Sequence, residues 1–306
     1  MKFLITGGAG FLGSALANQL VRDGHTIRVL DDLSSGDPGR LLPEVNLTRG
    51  SVLDIPKLWS LLQNIDCVYH LAARVSVPES VLYPGDYNQV NVVGTVGIMQ
   101  AMRDAGVRRV VLASSGAVYG VQVQQPMHED FVPHPTSPYA VSKLAAEYYV
   151  HTIGALWGME TVALRIFNAY GPGQSVRASH PALIPVIARQ AHAGGSVIIH
   201  GDGRQTRDFV FIDDVTRALV HAASAQNLNR LTINVGSGVP TSINEVIKAV
   251  ELAHGRDFNV LRVTADSGGV SNMCADLGRA RELLSYVPRV SLAEGVSHVM
   301  AALNTV

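Results

Sequence analysis

The chain has 306 residues, 24 basic and 25 acidic side chains and a net charge of −1 at pH 7. No basic run stands out, so the composition does not indicate a nucleic-acid surface or an anionic membrane surface. Apolar residues make up 47%, as expected for a compact globular domain, whereas charged residues make up only 16%, below the usual share of about a quarter. The two cysteines, Cys67 and Cys274, form neither a disulfide framework nor a metal-ligand cluster. We therefore expect a cytoplasmic protein without a metal.

A glycine-rich turn follows the first apolar run. Residues 2–6 predict a strand, and Gly7, Gly8, Gly10 and Gly13 lead into a helix. Because glycine lacks a Cβ, such a turn lets the backbone approach a pyrophosphate at the helix start. Two registers fit a dinucleotide motif, one beginning at Gly8 and one at Gly7, and the order of the later motifs favours Gly7, Gly10 and Gly13. A secretory signal is the competing interpretation, and the glycines argue against it.

An acidic residue ends the second predicted strand. The run Thr26 to Leu30 is followed by Asp31, eighteen residues after Gly13, where a dinucleotide motif needs an acid for the ribose hydroxyls. Asp32, Leu33 and Ser34 follow directly, with no arginine among them to hold a 2′-phosphate. The pattern favours NAD over NADP.

Strands and helices alternate over the next part of the chain. Leu33 to Pro43 reads as a loop, and the predicted helices are Leu58 to Leu62, Gln89 to Arg103 and Ser137 to Trp157. The predicted strands are Asp66 to Leu71, Arg109 to Ala113 and Thr161 to Phe167. Such alternation predicts an α/β fold, a Rossmann-type doubly wound parallel sheet with helices on both faces.

The pattern changes after Asn168, where a cluster of helix and strand breakers covers residues 169–174. Beyond it we predict a helix at Pro181 to Ala193, a strand at Ser196 to His200, a loop at Gly201 to Arg207, a buried strand at Leu231 to Val235 and a capped helix at Ser242 to Ala253. We expect a dinucleotide-binding domain at residues 1–168, which residues of about 210–240 rejoin. A smaller, discontinuous substrate domain would cover 169–306.

Tyr139 and Lys143 are four residues apart on a predicted helix, so their side chains share one face. A phenol has an ordinary pKa near 10, and a cation one turn away favours the phenolate, which could remove a proton from a hydroxyl. A solvated helix face is the simpler interpretation of the pair alone. The position favours chemistry, because the helix follows a strand that ends in Ser114 and Ser115.

These motifs, taken in order, resemble the extended short-chain dehydrogenase/reductases. Within them the chain is most similar to the NAD-dependent nucleotide-sugar epimerases and dehydratases, above all the UDP-glucose/UDP-galactose 4-epimerases. Besides the glycine turn and Asp31, the motifs are HLAA at 70–73, Asn91 in NVVGT, SSGAVYG at 114–120, YAVSK at 139–143, RIFNAYGPG at 165–173 and RDFVFIDD at 207–214. The resemblance covers about residues 1–240.

The resemblance implies a role for each motif. Tyr139 would be the acid/base, Lys143 would bond the nicotinamide ribose, Ser115 would bond the sugar O4, and Asn168 and Arg207 would hold the sugar and its pyrophosphate. The implied cofactor contacts are Gly7, Gly10, Phe11, Leu12, Gly13, Asp31, Asp32, Ser51, Val52, Leu71, Ala72, Ala73, Asn91, Ser114, Tyr139 and Lys143.

Three other interpretations apply to single residues of these motifs. Arg207 could instead pair with Asp208 at the surface. Asn91 could order the Tyr139 helix, and His70 is expected to be a packed histidine.

The sequence departs from its relatives at several places. The 4,6-dehydratases carry an acidic pair after the catalytic Ser/Thr, where this chain has Gly116 and Ala117, so dehydration is disfavoured. Ser51 replaces the adenine-side Asp of the epimerases, and the Arg-Gly-Asp stretch that grips UDP reads Asp-Ser-Gly-Gly at 266–269. Met273 and Cys274 fall near the place that sets sugar size, which fits a roomy pocket.

The resemblance implies C4 epimerisation of a UDP-hexose by transient oxidation, in a homodimer formed through the Gln89 to Arg103 helix and the Tyr139 helix. Other hypotheses stay open. These are a 4-epimerase of a UDP-hexuronic acid or UDP-N-acetylhexosamine, a net NAD(P)-linked reductase or dehydrogenase of a nucleotide 4-keto sugar, and a non-catalytic nucleotide sensor.

Overall fold

A computed structural model describes residues 1–176, 182–264 and 272–304. Its strands are β1 Lys2–Thr6, β2 Thr26–Asp31, β3 Asn46–Arg49, β4 Cys67–His70, β5 Arg109–Ser115, β6 Glu160–Ile166, β7 Asn168–Tyr170, β8 Val197–His200, β9 Thr206–Phe211, β10 Leu231–Val235, β11 Pro240–Ser242 and β12 Val260–Val263. Its helices are α1 Phe11–Arg22, α2 Ile55–Leu61, α3 Val77–Leu82, α4 Pro84–Tyr87, α5 Gly94–Ala105, α6 Pro138–Trp157, α7 Leu183–His192, α8 Ile212–Ser224, α9 Ile243–His254, α10 Gly278–Leu284 and α11 Leu292–Leu303.

A seven-stranded parallel sheet forms the centre of the molecule, in the order β3-β2-β1-β4-β5-β6-β10. This confirms the predicted doubly wound α/β fold. The strand predicted at Leu231 to Val235 does pair with β6 in this sheet. Because all seven strands run the same way, their carboxyl ends share one edge, where ligands bind in sheets of this kind.

Both faces of the sheet are covered, as the apolar strands require. Successive side chains of β1 point to opposite faces: Phe3 and Ile5 pack in the core with α1 and α8, whereas Leu4 packs with α2, α5 and α6. The helix that bears Tyr139 therefore lies on the same face as α5.

The C-terminal part of the chain adds two small sheets, β11-β9-β7 and β12-β8. A third apolar core, with residues from α7, α9 and α11, packs around them. The loop predicted at Gly201 to Arg207 is wrong at its end, because β9 begins at Thr206 and takes in Arg207. The proposed division into two domains stays a prediction.

The long helix predicted over Gln89 to Arg103 is interrupted. A π-helical turn spans Asn88–Val93, and the α-helical part begins at Gly94. The side chain of Asn91 in this turn joins the segment after β4 to α6: its amide donates to Arg74 O at 3.0 Å and to Ser142 Oγ at 2.9 Å. A wider helical turn that aims a polar side chain is a common device near functional sites.

The ends of two predicted helices agree with the structure. Ser137 caps α6 by accepting from the backbone N–H of Ala140, and Pro138 occupies the first turn. Ser242 and Glu245 form a capping box at α9. Within the described ranges, no helix is both long and apolar enough to cross a membrane.

We predict that Gly13→Ala destabilises the fold by roughly 1–3 kcal/mol, since overpacking forces the backbone to shift. A Cβ on Gly13 would collide with the carbonyl oxygen of Gly7 and lie 2.6 Å from the Cα of Gly8. Urea unfolding measures the change. The control is Gly85→Ala, where the added carbon meets no heavy atom within 4 Å. Equal unfolding midpoints for the two variants would show that the turn is looser than the structure has it.

Candidate active site

The glycine turn packs against the end of β4. Gly7 has a φ of 72°, and a Cβ there would lie 2.7 Å from the backbone nitrogen of Ala72. Gly10 is the N-cap of α1 and offers no side-chain oxygen to the first turn of the helix. Phe11 and Leu12, the first residues of α1, are half-buried against the C-terminal core. The turn thus leaves the start of α1 capped by backbone alone, an arrangement suited to an anion.

Asp31 ends β2 and lies against the glycine turn. Its Oδ2 accepts from Ala9 N at 2.9 Å and its Oδ1 accepts from Leu33 N at 2.8 Å. Burial raises the pKa of this carboxyl, and the backbone hydrogen bonds oppose the rise. A carboxylate accepts more than two hydrogen bonds, so the ribose role predicted for Asp31 is compatible with these contacts. Asp32 is exposed and accepts from Ser34.

The remaining predicted cofactor residues lie at strand ends or beside them. Leu71, Ala72 and Ala73 follow β4 and are half-buried, while Ser51 accepts from Leu53 N and Val52 is buried against α5.

His70 ends β4 and is bonded to two threonine hydroxyls, those of Thr6 at 2.7 Å and Thr95 at 2.9 Å. Burial lowers its pKa to about 3, so it stays neutral. The histidine is packed, as predicted.

Tyr139 lies in the first turn of α6 with 9% of its surface exposed. Burial raises the pKa of its phenol, and a side-chain hydrogen bond with Ser115, at the end of β5, acts in the opposite direction. The ring of Tyr87 packs edge-on against it, with 6.4 Å between ring centroids. The structure therefore brings the predicted phenol and the predicted hydroxyl together.

Lys143 lies one turn further along α6 and is buried. Its ammonium donates to the carbonyl oxygen of Ala113 in β5 at 2.8 Å. Burial lowers the pKa of Lys143 to about 8, and the negative charge of Glu147 opposes this fall. The cation is thus held on the helix face that carries Tyr139, facing the end of β5, as the spacing predicted.

A buried ion pair behind these residues was not predicted. Glu147 accepts from Arg165 of β6 at both oxygens, at 3.1 and 2.8 Å, and also from the hydroxyl of Ser114 at 2.5 Å. Arg165 also lies over the ring of Tyr119, 4.6 Å from its centroid. The signal was present in the sequence, because Glu147 stands four residues after Lys143 and so continues the stripe that Tyr139 begins.

Asn168 and Arg207 lie on the neighbouring strands β7 and β9, where Asn168 is in register with Phe209. The amide of Asn168 donates to the backbone oxygen of Asp208 at 3.1 Å. Asp208 itself is buried and accepts from Ser237, Gly238 and Ala275, so it is not the surface partner of Arg207. In the described part of the chain, Arg207 donates to Thr206 O and pairs with no carboxylate, and burial lowers its pKa.

A cavity of about 420 Å³ opens beside β9 and β11. Its lining includes Thr206 and the two residues predicted near the sugar, Met273 and Cys274, but not Tyr139 or Ser115. The Asp-Ser-Gly-Gly stretch at 266–269 lies outside the described residues.

The place where dehydratases carry acids is a tight turn. Gly116–Tyr119 forms a single turn of 3-10 helix, and the Ser115 hydroxyl accepts from Ala117 N at 3.2 Å. A Cβ on Gly116 would lie 3.1 Å from the ring of Phe167. The turn therefore leaves little room for a larger side chain at Gly116.

Fold and site together define the class: a doubly wound α/β protein with a glycine turn before α1, a serine at the end of β5, and a tyrosine and a lysine on the helix α6 beside it. Residues 3–236 match the NAD dependent epimerase/dehydratase family. The chain belongs to this family.

Individual relatives cover nearly the whole chain. A UDP-glucose 4-epimerase of Mycolicibacterium smegmatis is 38% identical over 309 residues, 97% of this chain and 96% of that protein. The solved structure of UDP-glucose 4-epimerase from Thermotoga maritima with UDP-glucose superposes with a TM-score of 0.96 at 31% identity, over 100% and 99% of the two chains. MoeE5, solved with UDP-glucuronic acid and NAD, gives 0.91 at 35% identity over 100% and 99%.

We predict that Lys143→Met stabilises the fold relative to the parent at pH 7, and that this advantage shrinks by about 2 kcal/mol by pH 9.5. The folded chain releases the Lys143 proton near pH 8, whereas the unfolded chain holds it to about 10.5. Stability of the parent therefore rises with pH in this window. Urea unfolding at several pH values measures it. The exposed Lys248→Met is the control, and a pH-independent advantage in Lys143→Met would mean that the ammonium is not buried.

Proposed function

We propose that the protein is a nucleotide-sugar 4-epimerase that uses tightly bound NAD, with a UDP-hexose of the glucose/galactose type as substrate. One observation carries the proposal: the Tyr139 phenol meets the Ser115 hydroxyl at the end of β5, with the buried Lys143 one turn along the same helix. This is the set of groups that takes a proton from a sugar hydroxyl while hydride leaves the same carbon.

The cofactor site would be formed by the glycine turn and the ends of the neighbouring strands. A diphosphate fits at the N-terminus of α1, where Gly7, Gly10 and Gly13 leave no Cβ in the way. Asp31 would accept from the ribose hydroxyls, and Lys143 would donate to the other ribose. Bound NAD supplies the hydride acceptor and, when reduced, the hydride donor. The oxidised cofactor is regenerated in each turnover, so no reductant is needed.

The chain's own groups would handle the proton. Tyr139, as phenolate, accepts the proton of the sugar O4 and later returns it, so it acts as base and then as acid. Ser115 donates to the same oxygen and holds it beside the phenol. Lys143 favours the phenolate by its charge, because an opposite charge nearby stabilises the ionised form. Inversion at C4 would result when the 4-keto sugar rotates about its phosphate link, so that hydride returns to the opposite face of C4.

The sugar diphosphate would be held by Arg207 and Asn168. A guanidinium without a carboxylate partner is suited to a phosphate, which it can bind through two N–H donors. The relatives support UDP as the nucleotide, since one is named a UDP-glucose 4-epimerase and another structure contains UDP-glucose.

A UDP-hexuronic acid is the second candidate substrate. The structure that contains UDP-glucuronic acid is 35% identical to this chain. Both substrates carry the same 4-hydroxyl, so the same Tyr139, Lys143 and Ser115 would serve either. The net reductase hypothesis differs in one measurable respect, because it needs a stoichiometric change in NADH.

We also propose a homodimer that buries the outer face of α6. Four apolar or aromatic side chains of this helix are exposed, namely Val141, Tyr148, Tyr149 and Leu156. Such a row on the helix that carries the site fits an interface.

Two buried, unpaired cysteines fit the proposed cytoplasmic location.

We predict that Tyr139→Phe lowers the epimerisation rate by roughly 10²–10⁴-fold, since it removes the proton-transfer group and keeps the ring. The control is Tyr83→Phe, whose side chain is 57% exposed and lies outside the proposed dimer face of α6, so it should leave the rate near that of the parent.

The assay follows C4 inversion by product chromatography, with a panel of UDP-, dTDP- and GDP-sugars that includes glucose, glucuronic acid and N-acetylglucosamine. A purified protein that retains NAD and inverts none of these sugars would contradict the proposal. Consumption of NADH in proportion to product would favour the reductase.

We predict that Arg207→Gln raises KM by roughly 10- to 100-fold with a smaller change in kcat, because a hydrogen bond to a charged group contributes about 1.5–3 kcal/mol. The control is Arg204→Gln, whose side chain is 87% exposed and should leave KM unchanged. Steady-state kinetics on the accepted sugar separates the two constants. An unchanged KM in Arg207→Gln would remove this residue from the diphosphate site.

A further inference from the structure

Three potential metal ligands that the proposed reaction does not use lie together in the structure, although they come from two segments that are far apart in the sequence. They are His128 and Glu129, which come before α6, and Asp276, which comes before α10. One ligand atom from each lies within 4.8 Å of the other two. A group of exposed acidic side chains does not by itself indicate a metal site. The contacts of each of the three side chains are therefore the evidence for or against one.

The backbone holds the two segments in register. Met127 and Ala275 form an isolated parallel bridge. The N–H of Met127 donates to Cys274 O at 2.7 Å, and the N–H of Asp276 donates to Met127 O at 2.9 Å. Because the bridge is directly beside all three side chains, their positions are fixed by backbone hydrogen bonds on both segments.

Glu129 has one oxygen that the protein does not satisfy. Its side chain is fully buried, and its Oε1 accepts from Asn234 N at 2.8 Å. Its Oε2 has no hydrogen-bond partner among the residues described. The nearby Arg165 donates to the backbone oxygen of Glu129 and gives its other donors to Glu147. A buried carboxylate oxygen is costly without a partner, and a cation would satisfy it.

His128 turns its Nε2 towards the buried oxygen of Glu129, at 3.8 Å from Oε2. Its Nδ1 accepts from the backbone N–H of Asp130 at 3.3 Å and also lies 3.3 Å from a carboxylate oxygen of the same residue. Asp130 is itself held by Arg279 at 2.8 Å. Metal binding at Nε2 would place the ring proton on Nδ1, where the Asp130 carboxylate can accept it in place of the backbone contact. The Oδ1 of Asp276 accepts from Gly278 N, so its second oxygen can turn to the same point.

We infer that His128, Glu129 and Asp276 bind one divalent transition-metal ion, with Zn²⁺ as the best match. An imidazole with two carboxylates is a ligand set that zinc accepts, with water in the fourth position. Ligands at about 2.0–2.2 Å on a tetrahedral ion are roughly 3.3 Å apart. The 3.8 Å between His128 Nε2 and Glu129 Oε2, and separations of up to 4.8 Å within the group, would therefore have to shorten when the ion binds. Mg²⁺ and Ca²⁺ prefer oxygen ligands and fit less well.

The ion would tie two functional segments together. One leads into α6, which carries Tyr139, and the other contains Met273 and Cys274 in the wall of the cavity. The hydrogen bonds and ion pairs of the three ligands in the described residues involve neither Tyr139 nor Ser115, so we assign the ion to structure and cavity shape and not to the proton transfer.

The test uses the full-length protein, freed of any affinity tag and dialysed against EDTA. Calorimetric titration with Zn²⁺ should give one ion per chain, and Co²⁺ should give the strong visible absorption of a four-coordinate site. Zn²⁺ should also raise the midpoint of thermal unfolding, because a ligand that binds only the folded state stabilises it. These readouts do not depend on activity. A negative result would therefore contradict the metal site without contradicting the proposed epimerase activity, and the reverse also holds.

Variants locate the site. His128→Asn, Glu129→Gln and Asp276→Asn should each lose the one-to-one binding, and Asp130→Asn should weaken it by roughly 10- to 100-fold. His192→Asn, at an exposed histidine of α7, is the control and should bind as the parent does. Glu129→Gln keeps an oxygen for Asn234, and unfolding in EDTA verifies that each variant is folded. Less than one ion per chain in the parent, or equal affinity in His128→Asn, would overturn the inference.

Discussion

The buried ion pair of Glu147 and Arg165 joins the elements on which the candidate site depends. Glu147 lies on α6, Arg165 lies on β6, and Ser114 of β5 donates to the same carboxylate. One carboxylate thus fixes the helix that carries Tyr139 and Lys143 to the two strands beside it. Removing one member of such a pair leaves an uncompensated buried charge, which costs more than the intact pair contributes. The pair is therefore better understood as a device that specifies position than as a source of stability.

Features set by local sequence could be predicted well. The glycine turn, the Ser137 cap and the Tyr139–Lys143 spacing each depend on residues within a few positions, so the sequence predicted them and the structure places them as expected. Strand β10 was also predicted to return to the sheet, because its apolar run is long enough for a buried strand. Sequence prediction and structure agree where all the residues that determine a feature lie in one short segment.

Features that depend on distant pairs were missed. Strand β3 has only half-buried and exposed residues, so its sequence contains no apolar run from which a strand could be predicted. Arg207 was taken for the end of a loop, since its strand β9 is defined by pairing with β7 and β11. The partner of Glu147 stands eighteen residues further on, and the unsatisfied oxygen of Glu129 depends on a bridge to Ala275. The spacing of residues in the sequence does not predict contacts of this kind.

Burial acts on Tyr139 and Lys143 in opposite directions. It raises the pKa of the phenol and lowers that of the ammonium to about 8, so desolvation alone favours a neutral pair. Two groups oppose it: Ser115, which lowers the pKa of Tyr139, and Glu147, which raises that of Lys143.

Because Glu147 is itself neutralised by Arg165, its effect on Lys143 is limited, and the ammonium stays close to the point where it can lose its proton near neutral pH. In the proposed mechanism, the Lys143 charge that favours the phenolate is thus present below about pH 8 and is lost above it. A base that must form beside a buried cation therefore has an upper limit of pH set by that cation, and for Lys143 burial lowers this limit while Glu147 raises it.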